Sequence, residues 1–258
     1  MKPYSFLIVL SALIVFSCKN ETPESTDRDG LTDSTLIKDS EEHPIELVDS
    51  AIFHIGNHEF EIRASSPNEF NAAADPFKMK DTSEANRIQK VASAVSRSGD
   101  SLIFKCLNNK NTYLINDNDD EDDVDDYSVY TFIKDMPEIN QWLVMGVYYE
   151  AYGYVFINKS SGDTTLLYGM PVVSPDNKYI ITFNQDIQAG FTFNGFQLFE
   201  VNGSELIELG EKELYNWGPD NVRWKDETTL LVEQSHLKFD YTNSEQSITT
   251  EYIEIKMK

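Results

Sequence analysis

Cysteine, histidine and positive charge are all scarce in this chain of 258 residues. It has two cysteines, four histidines, and 21 Lys and Arg residues against 44 Asp and Glu residues, for a formal net charge of −23. A surface this acidic repels nucleic acid phosphates, which excludes nucleic-acid binding. The two cysteines and the scattered histidines have no zinc-ligand spacing. We therefore expect no cofactor, apart from the calcium ion considered below.

Motifs for enzyme catalysis are also missing. The chain has no Gly-x-Ser-x-Gly nucleophile turn and no glycine-rich phosphate loop. Paired carboxylates are frequent, but in a chain this acidic such pairs arise by chance and do not identify a glycosidase site. The sequence therefore favours a non-enzymatic protein without excluding an enzyme.

The N-terminus has the pattern of an export signal. After Met1-Lys2, residues 6–16 form an apolar run that is shorter than the roughly 20 residues of a membrane-spanning helix. The chain turns polar directly after Ser17-Cys18. A small residue before a cysteine at this point resembles the lipobox of bacterial lipoproteins, in the looser form of Bacteroidetes. Val15 and Phe16 depart from the commonest lipobox, and an ordinary signal peptide with a chance cysteine is the alternative.

The lipoprotein resemblance implies that residues 1–17 are removed and that Cys18 carries acyl chains. Each buried CH₂ contributes about 0.8 kcal/mol, so several chains together give stable anchoring. Loss of Lys2 leaves a mature charge of 20 − 44 = −24. Since anionic lipid repels such a surface, a lipid anchor is the expected means of membrane attachment. We expect an exported lipoprotein of the outer membrane, facing the periplasm or the cell surface.

The remaining chain divides into a tether and a domain. Residues 18–45 are acidic and almost free of aromatic side chains, which predicts a disordered tether. Residues 46–258 are rich in Phe, Tyr, Ile and Val, and they are long enough for one sizeable core. Cys106 alternates with Leu102 and Phe104, so we expect it to be a buried core residue rather than a reactive thiol.

Local signals predict a hairpin and a short helix at the start of the domain. Gly56-Asn57 suits a two-residue turn, which would place Phe53 opposite Phe60 and His54 opposite Glu59. Ser66-Pro67-Asn68-Glu69 is a capping box with proline at the first helical position. One or two short helices are therefore expected between residues 66 and 95.

A polar turn followed by an apolar strand recurs four times between residues 95 and 258. The copies begin at Val95, Met136, Val173 and Arg223, and their apolar strands open at about Leu102, Trp142, Ile180 and Leu230. The segment Val173-Ser174-Pro175-Asp176-Asn177-Lys178 is similar to the Ser-Pro-Asp-Gly-Lys stretch of the TolB-type, WD40-like β-propeller repeat, with Asn177 in place of glycine. The resemblance implies an all-β fold of antiparallel sheets in a small or incomplete β-propeller-like array. A two-sheet sandwich is the alternative.

An acidic run at residues 117–126 is a candidate calcium site. Asp117, Asp119 and Glu121 place oxygen ligands at alternate positions, as Ca²⁺ requires. The run lacks the glycine and the final glutamate of an EF-hand loop, at Asp122 and Ser128. Because dense like charges repel, a solvated loop without a metal is the alternative.

Aromatic side chains concentrate at one predicted strand turn. Tyr148, Tyr149, Tyr152 and Tyr154 lie there, and Trp217 lies in a later loop. Exposed rings would offer rigid contact area to a sugar or a protein. Strand alternation would instead bury Tyr152 and Tyr154 together as core residues.

These observations predict a binding or interaction module on the cell envelope. Its partner would be a protein, a peptide or a glycan, reached by loops at one end of the sheets. Two alternatives stay open. One is an envelope hydrolase with a carboxylate-based site, and the other is a structural subunit of an envelope assembly that docks through exposed sheet edges.

Overall fold

The computed structural model describes residues 52–76, 78, 83–117, 127–240 and 245–258. They belong to one compact unit, Ile45–Lys258. The unit is built from four antiparallel sheets and two short α-helices, which confirms the all-β prediction and the helices expected between residues 66 and 95. None of the helices in the described ranges has the length and hydropathy needed to span a membrane.

The four sheets follow one another along the chain. Sheet I contains β3 (Val95–Ser98), β4 (Ser101–Lys105) and β5 (Asn111–Ile115). Sheet II contains β6 (Ser128–Met136), β7 (Gln141–Tyr148), β8 (Ala151–Asn158) and β9 (Thr164–Leu167). Sheet III contains β10 (Met170–Val173), β11 (Tyr179–Asn184), β12 (Gly195–Asn202) and β13 (Glu205–Glu213). Sheet IV contains β14 (Gly218–Trp224), β15 (Thr229–Asp240) and β16 (Glu245–Met257), joined by β2 (His58–Ala64) and β1 (Ile52–Ile55).

The helices lie before sheet I and within sheet II. Helix α1 spans Pro67–Ala72, α2 spans Glu84–Gln89, and a 3₁₀ turn spans Pro137–Ile139. The Glu69 backbone N–H donates to Ser66 Oγ (3.3 Å), which confirms Ser66 as the N-cap of the predicted capping box. Helix α1 ends at Ala72, short of Pro76.

Strand pairing follows chain order with one exception. The strands that open at Leu102, Trp142 and Ile180 are the second strands of sheets I, II and III in chain order. Leu230 opens β15, the second of the three C-terminal strands of sheet IV. Each of these four strands pairs antiparallel with the strand that follows it. Among the described strands, pairing between distant segments occurs only where β16 meets β2, with Ile255 opposite Ile62. The N-terminal hairpin thus completes the last sheet.

Hydrophobic clusters join the sheets in the same order. One cluster contains residues of sheets I and II, the next of sheets II and III, and the third of sheets III and IV. None of the clusters that the described residues form links sheet I with sheet IV. The sheets therefore pack face to face as an open series, which agrees with an incomplete propeller-like array and is not a closed barrel.

The middle sheets are buried on both faces. In β7, Trp142 and Val144 pack toward sheet I, whereas Leu143 packs toward sheet III. In β11, Ile180 packs toward sheet II and Ile181 toward sheet IV. Because both faces are covered, neighbouring residues of these strands are buried together instead of alternating with exposed polar residues.

The turn at Asn177 has a backbone conformation that asparagine tolerates well. Asn177 has a φ of 59°, in the left-handed region that glycine and asparagine tolerate best. Ser174 Oγ donates to Asp176 Oδ1 (2.7 Å) and accepts the Tyr179 backbone N–H (2.9 Å). Gly99 and Asn140 have a similar φ, 56° and 57°, in the corresponding turns of sheets I and II.

The N-terminal hairpin has the predicted register. Phe53 lies opposite Phe60 and His54 opposite Glu59. Gly56 has a φ of 55°, and a Cβ added there would lie 2.0 Å from Leu209 O, so the turn needs glycine for both reasons. Directly after β4, Cys106 is a free and buried cysteine, as expected.

Candidate ligand-binding cavity

A cavity of about 340 Å³ lies where sheets II, III and IV meet. The described residues that line it are Tyr152 and Tyr154 of β8, Met170 of β10, Phe183 and Asn184 of β11, Gln185 directly after β11, and Pro219, Asp220 and Asn221 of β14. Each wall thus comes from a different sheet, and the cavity lies within the volume range of small-ligand sites.

Two tyrosines form the wall from sheet II. Tyr152 is 51% exposed and Tyr154 is 7% exposed, and their rings meet edge to face with centroids 6.4 Å apart. Burial, together with the neighbouring Tyr152, raises the pKa of Tyr154 to about 12. Its hydroxyl therefore keeps its proton at neutral pH, and the exposed Tyr152 ring offers a flat apolar surface to a ligand.

Hydrogen bonds fix the wall from sheet III. Tyr152 Oη donates to Asn184 Oδ1 (3.1 Å), and Asn184 Nδ2 donates to Thr192 Oγ1 (2.9 Å) and to Phe193 O (2.6 Å). Asn184 is only 4% exposed, so its amide is fully used by the protein. This network ties the tyrosine wall to the loop that follows β11.

Asp186 fixes the conformation of that loop by accepting hydrogen bonds from its residues. Its Oδ2 accepts the Thr192 backbone N–H (2.5 Å) and the Thr192 hydroxyl (2.8 Å), and its Oδ1 accepts the Gly190 N–H (3.1 Å). Burial acts to raise the pKa of Asp186, but these hydrogen bonds outweigh burial and the pKa is lowered. The loop beside the cavity is thereby fixed around an ionised carboxylate.

A strand irregularity exposes Asp220 at the wall from sheet IV. The register of β14 shifts between Pro219 and Asn221, which leaves Asp220 as the extra residue of a bulge, and bulges commonly redirect a side chain. Ser235 Oγ donates to Asp220 Oδ2. Burial and the charge of Glu233 raise the pKa of Asp220 above its usual range, although the Ser235 hydrogen bond acts in the opposite direction.

The next residue has an unpaired acceptor. Asn221 Oδ1 is buried and has no hydrogen-bond partner among the described residues. An unsatisfied buried acceptor costs roughly 1–3 kcal/mol. Because Asn221 Oδ1 is buried, the accessible acceptor of the sheet IV wall is the exposed carboxylate of Asp220.

The other two predicted tyrosines lie outside the cavity. Tyr148 covers the cross-strand pair of Gly146 and Gly153, because a Cβ added to Gly146 would lie 2.4 Å from Tyr148 Oη. Burial, with a smaller effect of Tyr130, raises the pKa of Tyr148 to about 12. Tyr149 lies at the β7–β8 turn and is 51% exposed.

Trp217 is a core residue of sheet IV. It is 2% exposed, and its ring meets that of Phe196 at a centroid distance of 6.0 Å. Trp217 O and Leu214 O both accept hydrogen bonds from Asn194 Nδ2, at 2.9 and 2.7 Å. The tryptophan is therefore part of the core and presents no ring to a ligand.

The predicted calcium site falls mostly outside the described residues. Asp117 pairs through its backbone with Ser128 (2.8 and 2.7 Å), whereas Asp119 and Glu121 lie outside, as does Cys18. Within the described ranges, no three His, Cys, Asp or Glu residues are grouped to hold a metal ion. Calcium binding therefore stays a prediction.

Asn184, Asp220 and Asn221 are the site residues that the sequence did not indicate. Asn184 ends a buried strand, and a proline inside a strand, here Pro219, commonly marks a bulge. That proline was the one available signal for Asp220. Comparison with protein-family models, with curated proteins and with solved structures finds no match for the chain.

Proposed function

We propose that the chain is a non-enzymatic binding module of the bacterial cell envelope, with its ligand in the cavity between sheets II, III and IV. The observation that carries the proposal is the combination of an exposed Tyr152 ring with walls fixed by hydrogen bonds through Asn184. A preorganised cavity binds without the cost of ordering its own side chains. A lipid on Cys18 would hold the module at the outer membrane.

The cavity supports binding better than hydrolysis. Asp220 is the one carboxyl group among the described residues of its lining, whereas glycosidases use two facing carboxyl groups. The raised pKa of Asp220 favours the alternative, an envelope hydrolase with Asp220 as its general acid. Turnover of envelope glycans or peptides that is lost in Asp220→Asn would support that alternative.

A thermal-shift screen tests the binding proposal. Ligands that occupy the cavity stabilise the folded chain by mass action. We expect a stabilising peptide, glycan or small molecule whose effect is lost in Tyr152→Ala and kept in Tyr149→Ala. The control is well matched, since both tyrosines are 51% exposed. Equal effects in the two variants would contradict the proposal.

Membrane attachment is tested separately by cell fractionation. The Cys18→Ala variant removes the expected site of acylation, so it should move from the membrane pellet to the soluble fraction. Continued membrane association of this variant would refute the lipoprotein hypothesis. A Cys106→Ala variant is the control, because Cys106 is buried in the domain.

A further inference from the structure

We infer that the cavity takes a primary ammonium group on an aliphatic chain, an inference that rests on the proposed function. Two side chains of the lining already use their donors within the protein. Tyr152 Oη donates to Asn184 Oδ1, and both hydrogens of Asn184 Nδ2 have acceptors on the loop after β11. A ligand that needs donors would therefore find those of Tyr152 and Asn184 occupied.

An acceptor, in contrast, remains available on the sheet IV wall. A carboxylate accepts about four hydrogen bonds, and at the exposed Asp220 the structure shows the one from Ser235. An ammonium group has three donors and no acceptor, so it matches this wall.

The rest of the lining agrees with a cationic ligand. No Lys, Arg or His is among the described residues of the cavity, and the formal net charge of −23 attracts cations over a distance. The exposed ring of Tyr152 lines the same cavity as Asp220, and the face of such a ring can attract an ammonium ion. Met170 and Phe183 supply apolar contact for the carbon chain.

The ammonium group could come from a free amine or from a lysine side chain. Calorimetric titration of the full-length chain in roughly 0.1 M salt, where distant charges are screened, distinguishes the two. The probes are 1,5-diaminopentane and a peptide with blocked termini and one lysine. The neutral isostere 1,5-pentanediol is the chemical control. We expect at least one ammonium probe to bind, and the diol to bind at least about tenfold more weakly. The tighter probe then identifies a free amine or a lysine side chain as the source.

Asp220→Asn is the decisive variant, because it keeps the shape and the capacity to accept from Ser235. This variant should bind the ammonium probes about tenfold or more weakly than the native chain does. Glu138→Gln removes an exposed charge from the 3₁₀ turn that precedes β7, outside the cavity lining. It should leave the affinity for the ammonium probes unchanged. Equal weakening by the two variants would overturn the inference, because it would mean diffuse attraction to an acidic surface.

The failures of the two proposals are distinguishable. Binding of a neutral ligand that needs Tyr152, without binding of either ammonium probe, would overturn this inference and leave the proposed function standing. Ammonium binding that is unchanged in both Tyr152→Ala and Asp220→Asn would overturn both. A diol that binds as tightly as the diamine would overturn the ammonium inference alone.

Discussion

Replacement of Glu84 by glutamine should destabilise the junction of sheets I and II. Glu84, in the first turn of α2, accepts two hydrogen bonds from Arg97 of β3 (2.8 and 2.9 Å) and one from the Phe132 backbone N–H of β6 (2.7 Å). Arg97 Nη2 also donates to Tyr130 O (2.6 Å). One carboxylate thus connects the helix with two sheets.

The expected loss is about 2 kcal/mol. Breaking a fully buried ion pair costs about 3–5 kcal/mol, and an exposed pair contributes about 1 kcal/mol or less. The side chains of Arg97 and Glu84 are 25% and 23% exposed, so their pair lies between these limits. For a domain of this size each kcal/mol shifts Tm by about 2–4 °C, so Glu84→Gln should lower Tm by roughly 4–8 °C.

The effect should depend on pH. Burial acts to raise the pKa of Glu84, but the hydrogen bonds from Arg97 and Phe132 outweigh burial and lower the pKa below its ordinary value of 4.5. A lowered folded-state pKa contributes stability above the unfolded-state value and loses it as the pH falls through the folded-state value. The difference between native chain and variant should therefore be full at pH 7 and shrink below about pH 4.5.

Urea unfolding at a series of pH values measures this difference. Glu138→Gln, at an exposed glutamate, is the matched control and should leave the unfolding midpoint unchanged. A Glu84→Gln variant within about 0.5 kcal/mol of the native chain at pH 7 would refute the reasoning. So would a difference that stays constant down to acid pH.

Two further predictions concern the sheets. Gly146→Ala should displace the Tyr148 ring and cost about 1–3 kcal/mol by urea unfolding, whereas Gly153→Ala should cost less, since its added Cβ meets nothing closer than 3.4 Å. The reverse order of the two losses would contradict the contact. Deleting residues 250–258 removes the buried Ile253, Ile255 and Met257 from sheet IV, at a cost of about 5–8 kcal/mol, comparable to total domain stability. A truncated chain that melts like the native one would contradict this account of the closing strand.

The features that can be predicted from the sequence are those that depend on residues close together in the chain. The register of the N-terminal hairpin follows from the Gly56-Asn57 turn, and the start of α1 follows from its capping box, because both depend on residues within one turn of chain. The four strand openings, and their pairing with the next strand, were also predictable, since short connections permit only antiparallel neighbours.

The non-local features were not predictable in the same way. The pairing of β16 with β2 joins the two ends of the domain, and no turn chemistry encodes it. The cavity brings Tyr152, Asn184 and Asp220 together from three sheets, so it depends on how the sheets pack. Trp217 is a predicted binding residue that the structure buries. Its position in a loop of the sequence does not indicate that Phe196 packs against its ring.

Fluorine NMR of the chain labelled with 3-fluorotyrosine tests the central claim, ligand binding in the cavity, most directly. The chain has 13 tyrosines, and single Tyr→Phe variants assign the signals of Tyr152, Tyr154 and Tyr149. Addition of a ligand that stabilises the chain should shift the signals of Tyr152 and Tyr154, which line the cavity, and leave that of Tyr149 unchanged. Shifts at Tyr149 without any at Tyr152 and Tyr154 would contradict the account.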